Sequence, residues 1–110
     1  MNNIDATAQA SYLQSFELAV QYVNGSIVER DLPRAAELFQ HAAASGYDRA
    51  QFNLGLMYLN GLGVARCRDT AMHWLRQAAG QGHPDALQVM RRMAQRRGAF
   101  AGKRFAVAGN

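Results

Sequence analysis

Cysteine, proline, lysine and tryptophan are scarce in this chain: one Cys, two Pro, one Lys and one Trp in 110 residues. The single thiol, Cys67, excludes an internal disulfide framework and a multi-cysteine metal site. No apolar run approaches the roughly 18 residues that a bilayer-spanning helix needs. Met1 to Ala10 hold neither a basic stretch nor an apolar stretch, so they do not read as a secretory signal. The expectation from these absences is a cytoplasmic protein with no membrane span. Charged residues make up only 18%, too few for a chain kept open by its own charge, and the 49% hydrophobic share suits one packed domain. Acid is missing from one end. From residue 88 onward there are six basic residues and no Asp or Glu, a charge of +6, whereas residues 1–87 hold six basic and eight acidic residues, a charge of −2.

The dominant positive feature is an internal repeat. Displacing the sequence by 36 places lays residues 16–51 over 52–87 without a gap, and 12 of the 36 pairs are identical. They include Phe16/Phe52, Leu18/Leu54, Tyr22/Tyr58, Asn24/Asn60, Gly25/Gly61, Arg30/Arg66, Ala42/Ala78, Gly46/Gly82 and Ala50/Ala86. A fixed period of this length is the mark of stacked supersecondary units, none of which buries its apolar face alone. The match fades after residue 87, where Arg91 replaces Gly55.

Each unit has the pattern of two helices. Apolar residues recur at helical spacing, glycines interrupt them, and Pro33 and Pro84 fall where a first helical turn accepts proline. The spacing predicts helices over 6–23, 32–45, 48–60, 69–80 and 84–97, and no strand. Ala42-Ala43, Ala78-Ala79 and Gly55 leave room for helix backbones to approach, with Tyr22, Tyr58, Phe39, Trp74 and Leu75 filling the space between. The fold class is therefore all-α: a short α-α superhelix of antiparallel pairs. One domain covers 1–97, with units at 16–51 and 52–87 and a closing helix at 84–97. Residues 98–110 form a Gly/Ala-rich basic tail, expected to be flexible.

Leu54-Gly55, Tyr58, Gly61-x-Gly63-Val64, Ala71-x-x-Trp74, Ala78-Ala79 and Gly82-His83-x-x-Ala86 together resemble the Sel-like repeat, a relative of the tetratricopeptide repeat. The resemblance covers roughly residues 12–95. The first unit departs from it at Ala19, Ile27 and Leu38, and the second at Cys67, where the first unit has Asp31. The resemblance implies a right-handed curved stack whose first helices line a concave face. It also implies an adaptor or scaffold that binds a protein or peptide, needs no cofactor and is not a catalyst; eleven Arg against one Lys points separately to a GC-rich bacterial coding bias.

On the side of those helices left free by packing, the 36-residue offset collects Phe16, Glu17, Val20 and Asn24, then Phe52, Asn53, Leu56 and Asn60, then Arg92 and Arg96. These are the expected partner-binding residues, although Phe16 and Phe52 equally suit a core. The basic end, Arg91, Arg92, Arg96, Arg97, Lys103 and Arg104, has three readings. It is a charged capping helix, a dock for an acidic partner, or a nucleic-acid or anionic-lipid contact, with nucleic acid not favoured because no known binding module is present. The alternative to the adaptor is thus a regulatory module acting through the Arg91–Arg97 helix. Cys67, between Arg66 and Arg68 at a helix start, is either a reactive thiol or a replacement for a capping Asp. His41, His73 and His83 match no metal spacing, so no metal is expected. The helix faces exposed at either end of so short a stack also allow self-association.

Overall fold

A computed structural model describes residues 2–109, with side chains described over 11–96. Its elements are five helices: α1 Asn2–Asn24, α2 Leu32–Ala44, α3 Asp48–Asn60, α4 Arg68–Gly80 and α5 Pro84–Gly109. Helices pack on their sequence neighbours, α1 on α2, α2 on α3, α3 on α4 and α4 on α5, as a solenoid requires. The three middle helices start and end within a residue or so of the periodicity. The outer two run further than expected. Past residue 97 the chain stays in α5, since alanine, arginine and lysine favour helix and, before the terminal Gly109, Gly98 and Gly102 are the glycines that oppose it, at about 1 kcal/mol each.

The repeat holds down to single hydrogen bonds. The Asp31 N–H donates to the Tyr22 carbonyl at 3.0 Å, and the Cys67 N–H donates to the Tyr58 carbonyl at 3.0 Å. Likewise the Tyr47 N–H reaches the Ala42 carbonyl at 3.2 Å, and the His83 N–H reaches the Ala78 carbonyl at 3.1 Å. Gly25 and Gly61 end α1 and α3 at φ +69° and +70°, the left-handed backbone that favours glycine. Asp31 caps α2 by accepting from the Arg34 N–H at 3.1 Å.

Small residues set the helix spacing. Ala19, Ala35, Ala42, Ala50, Ala71, Ala78 and Ala86 are fully buried, and Phe39, Leu54 and Leu75 fill the core between them. At Gly55 an added methyl would sit 2.9 Å from Leu75 Cγ, so α3 and α4 approach at that point only because the side chain is absent. The first unit meets the same demand with Ala19 and Phe39, an extra methyl against a flat ring in place of glycine against a branched leucine.

Gly63 explains another departure. It has φ +74°, and a methyl there would overlap the Leu32 carbonyl, because the second unit's loop docks on the start of α2. Its counterpart Ile27 is 77% exposed, with no preceding helix pair in the described chain to crowd it.

Gln51 is the one buried polar side chain among the described residues. Its Nε2 donates to the Ala43 carbonyl at 3.2 Å, and its Oε1 accepts from Gln81 Nε2 at 2.9 Å. Gln81 also donates to the Gly46 carbonyl at 2.9 Å. This network ties the end of α2, the start of α3 and the loop after α4, and leaves no buried side-chain polar atom without a partner among the described residues.

Candidate functional site

A groove of about 310 Å³ lies between α1 and α3. Val20, Val23 and Asn24 line it from α1, and Asn53, Leu56 and Met57 from α3. Leu32 and Phe39 of α2 supply the floor, and Arg30 and Leu62 come from the two inter-helix loops. Four of the expected partner-binding residues, Val20, Asn24, Asn53 and Leu56, are brought together here. The walls follow from helical geometry: Val20, Val23 and Asn24 are three and four residues apart and share one face, as do Asn53, Leu56 and Met57.

The chemistry is an apolar floor with amides at its edge and one guanidinium. Asn60, one turn beyond Leu56, donates its Nδ2 to the Leu56 carbonyl at 3.0 Å, so its amide serves its own helix. Among the described residues, Asn24 and Asn53 make no such bond. Their amides keep both donor and acceptor for a main chain laid across the groove.

The two phenylalanines stand elsewhere. Phe16 is 8% exposed and belongs to the core, edge-on to Phe39 at 5.6 Å and to Tyr47 at 4.9 Å, with Arg49 over its ring at 5.3 Å. Phe52 is half-buried and stacks on His83 at 4.7 Å and 19°. Tyr47 and His83 are offset by one repeat, so both phenylalanines pin a first helix to the start of the next one. The apolar anchors of the groove are Val20 and Leu56. Glu17 is exposed on α1 outside the groove lining.

Sequence reading missed Val23, Arg30, Leu32, Phe39, Met57 and Leu62. Arg30/Arg66 identity was an available signal. The floor was not readable, because it comes from a helix assigned wholly to packing.

On α5, Arg91, Arg92 and Arg96 are exposed, while the side chains of Arg97, Lys103 and Arg104 lie outside the described residues. Cys67 precedes α4 at φ −148° and ψ 104°, and its Sγ accepts from the Thr70 hydroxyl at 3.1 Å. That hydroxyl first, and then the Thr70 backbone N–H, hold the thiol below its ordinary range; partial burial and the nearby Asp69 carboxylate oppose this. The Asp69 backbone N–H adds a smaller lowering effect, so the main cause is Thr70 and not the flanking arginines. Sγ draws on these N–H groups without making a hydrogen bond of capping geometry. His83 Nδ1 accepts from the Ala86 N–H at 3.2 Å, a helix-start role. His41 bonds Ser15 at 3.0 Å and His73 lies edge-on to Trp74, so the three histidines stand apart. No group of three metal-ligating side chains occurs among the described residues, and no described helix is long and apolar enough to cross a membrane.

Comparison with known proteins matches residues 15–47 and 48–83 to the Sel1 repeat. An exopolysaccharide production negative regulator of Rhizobium leguminosarum bv. viciae is 43% identical over 68 residues, which are 61% of this chain and 26% of that protein. The chain thus spans about a quarter of that relative's length. Among solved structures, a Sel1 repeat protein from Oxalobacter formigenes superposes with a TM-score of 0.74 at 35% identity. The match covers 84% of this chain and 27% of that one. Helicobacter pylori cysteine-rich protein B gives a TM-score of 0.69 at 26% identity, over 73% of this chain and 60% of that one.

Proposed function

This chain belongs to the Sel1 repeat family, and we propose that it is a non-catalytic adaptor that holds a peptide segment of a protein partner between α1 and α3. The observation that carries the reading is the groove. Val20 and Leu56 offer apolar contact, and Asn24 and Asn53 offer amide hydrogen bonds to a peptide main chain. Helix positions make these walls rigid, so little ordering is lost on binding. The R. leguminosarum relative carries the name of a regulator, which suits an adaptor that acts by engaging another protein. The reading also places the module in the cytoplasm, where the free thiol of Cys67 stays reduced.

The test is affinity capture from an extract of the source cell. Wild type is compared with Asn53→Lys/Leu56→Glu, a variant checked for folding by circular dichroism and thermal melting. A protein retained by the wild type and lost by the folded variant supports the groove. A protein retained equally by both places the contact elsewhere and refutes it.

A further inference from the structure

The groove is lined from α1 and α3, and the positions that line it there recur by the repeat on α5 with a change of charge. Helix α5 takes the place in a third unit that α3 has in the second. The His83 N–H to Ala78 carbonyl bond repeats the Tyr47 N–H to Ala42 carbonyl bond, and Ala86 is as fully buried as Ala50. Three columns of repeat-equivalent positions therefore cross the first helices. They run Glu17, Asn53, Val89; then Val20, Leu56, Arg92; then Asn24, Asn60, Arg96. The face begins with a carboxylate on α1, is apolar and amide-bearing in the middle, and ends in two guanidinium groups on α5. Arg92 and Arg96 are both exposed, and four residues of helix place them about 6 Å apart on one face. Arg66 repeats Arg30 of the groove lining, so the loops after α1 and α3 each add one guanidinium. No acidic residue follows residue 87 to neutralise them.

We propose that the partner segment is an extended peptide whose apolar side chains seat between α1 and α3 and whose acidic side chains lie on Arg92 and Arg96. The inference rests on the groove reading and adds the partner's chemistry and direction. Charge complementarity selects it: a run of Asp or Glu matches the α5 end, where guanidinium groups pair bidentately with carboxylates. A nucleic acid is charged evenly along its length, and the mostly apolar groove between α1 and α3 offers its phosphates Arg30 alone. Arg91 supplies an internal control. It stands at the position that Gly55 holds on α3, off these columns, so it is exposed with the same charge on the same helix but on a different face.

The test is fluorescence anisotropy at low salt with the full chain. The probes are a fluorescein-labelled peptide Ala-Leu-Ala-Leu-Gly-Glu-Glu-Glu-Glu, its counterpart with Gln for every Glu, and a labelled oligothymidylate. The proteins are wild type, Arg92→Gln/Arg96→Gln, Arg91→Gln and Leu56→Ser. The Glu peptide is expected to bind roughly tenfold more tightly than the Gln peptide, as two partly exposed ion pairs allow. That advantage disappears in Arg92→Gln/Arg96→Gln and persists in Arg91→Gln. Equal binding of the two peptides, no binding of the Glu peptide, equal loss in the Arg91 and Arg92/Arg96 variants, or tighter binding of the oligothymidylate each overturns the proposal. If both peptides bind wild type equally but lose affinity in Leu56→Ser, the charge inference falls while the groove reading stands.

Discussion

Replacing Cys67 by aspartate should stabilise the fold by about 1 kcal/mol. The backbone is already prepared: Asp31 caps α2 at φ −147° and ψ 92°, and Cys67 precedes α4 at φ −148° and ψ 104°. In the first unit the carboxylate accepts from the N–H three residues on, at 3.1 Å. The same geometry in the second unit would give the Thr70 N–H, which now meets only the weakly accepting Sγ, a carboxylate acceptor. A side-chain cap contributes about 0.5–2 kcal/mol. The negative charge at a helix start adds about 0.3–1 kcal/mol. The nearby Asp69 carboxylate and the lost contact between Thr70 and Sγ work against this, which leaves the net near the middle of the cap range. Urea denaturation is the assay, and a higher midpoint at unchanged slope reports added stability. Thermal melting should rise by about 4 °C. Cys67→Ala separates loss of the thiol from gain of the cap. If Cys67→Asp is no more stable than Cys67→Ala, the reading of Cys67 as a vacant capping position is wrong.

Gly63→Ala should lose more stability than Gly82→Ala. Both glycines have positive φ, which costs alanine about 1–2 kcal/mol, but only at Gly63 does the methyl also meet the Leu32 backbone. Paired urea titrations check the order. Gln51→Ala should cost about 0.5–1.5 kcal/mol, because the Ala43 carbonyl loses its side-chain donor but keeps the Gly46 N–H at 3.0 Å, and Gln81→Ala should cost at least as much because it leaves Oε1 of the buried Gln51 without its partner. Alkylation of Cys67 should accelerate at lower pH than alkylation of the same thiol in the unfolded chain, since its folded value is lowered. The stability tied to that thiol is present above its unfolded value and lost as pH falls through the folded one. Thr70→Val should move the alkylation curve back up; an unmoved curve would rule out the hydroxyl as the cause.

The helices and their order were readable because the signals are local and occur twice. Gly25 and Gly61, Asp31, Pro33 and Pro84 mark ends through backbone preferences that need no distant partner. The 36-residue offset then carried each assignment from one unit to the other. Four of the ten groove residues were readable for the same reason: Val20 and Leu56, and Asn24 and Asn53, follow from helical spacing on first helices. The rest depends on contacts between residues far apart in sequence. Phe52 has the pattern of an exposed anchor until His83, 31 positions later, stacks on it. The floor residues Leu32 and Phe39 belong to a helix that periodicity assigns to the core alone. Gln51 gives no sign in the sequence that its amide closes a network with Gln81. Thr70 as the cause of the Cys67 shift was hidden behind the more obvious arginine neighbours.

The central claim is that a partner segment lies in the groove between α1 and α3. Backbone NMR of the labelled chain, titrated with the captured partner's binding segment, tests it most directly. The account predicts shift changes concentrated at Val20, Asn24, Asn53 and Leu56, extending to Arg92 and Arg96 where the segment is acidic. Changes confined to the exposed faces of α2 and α4, with the groove residues unmoved, would contradict it.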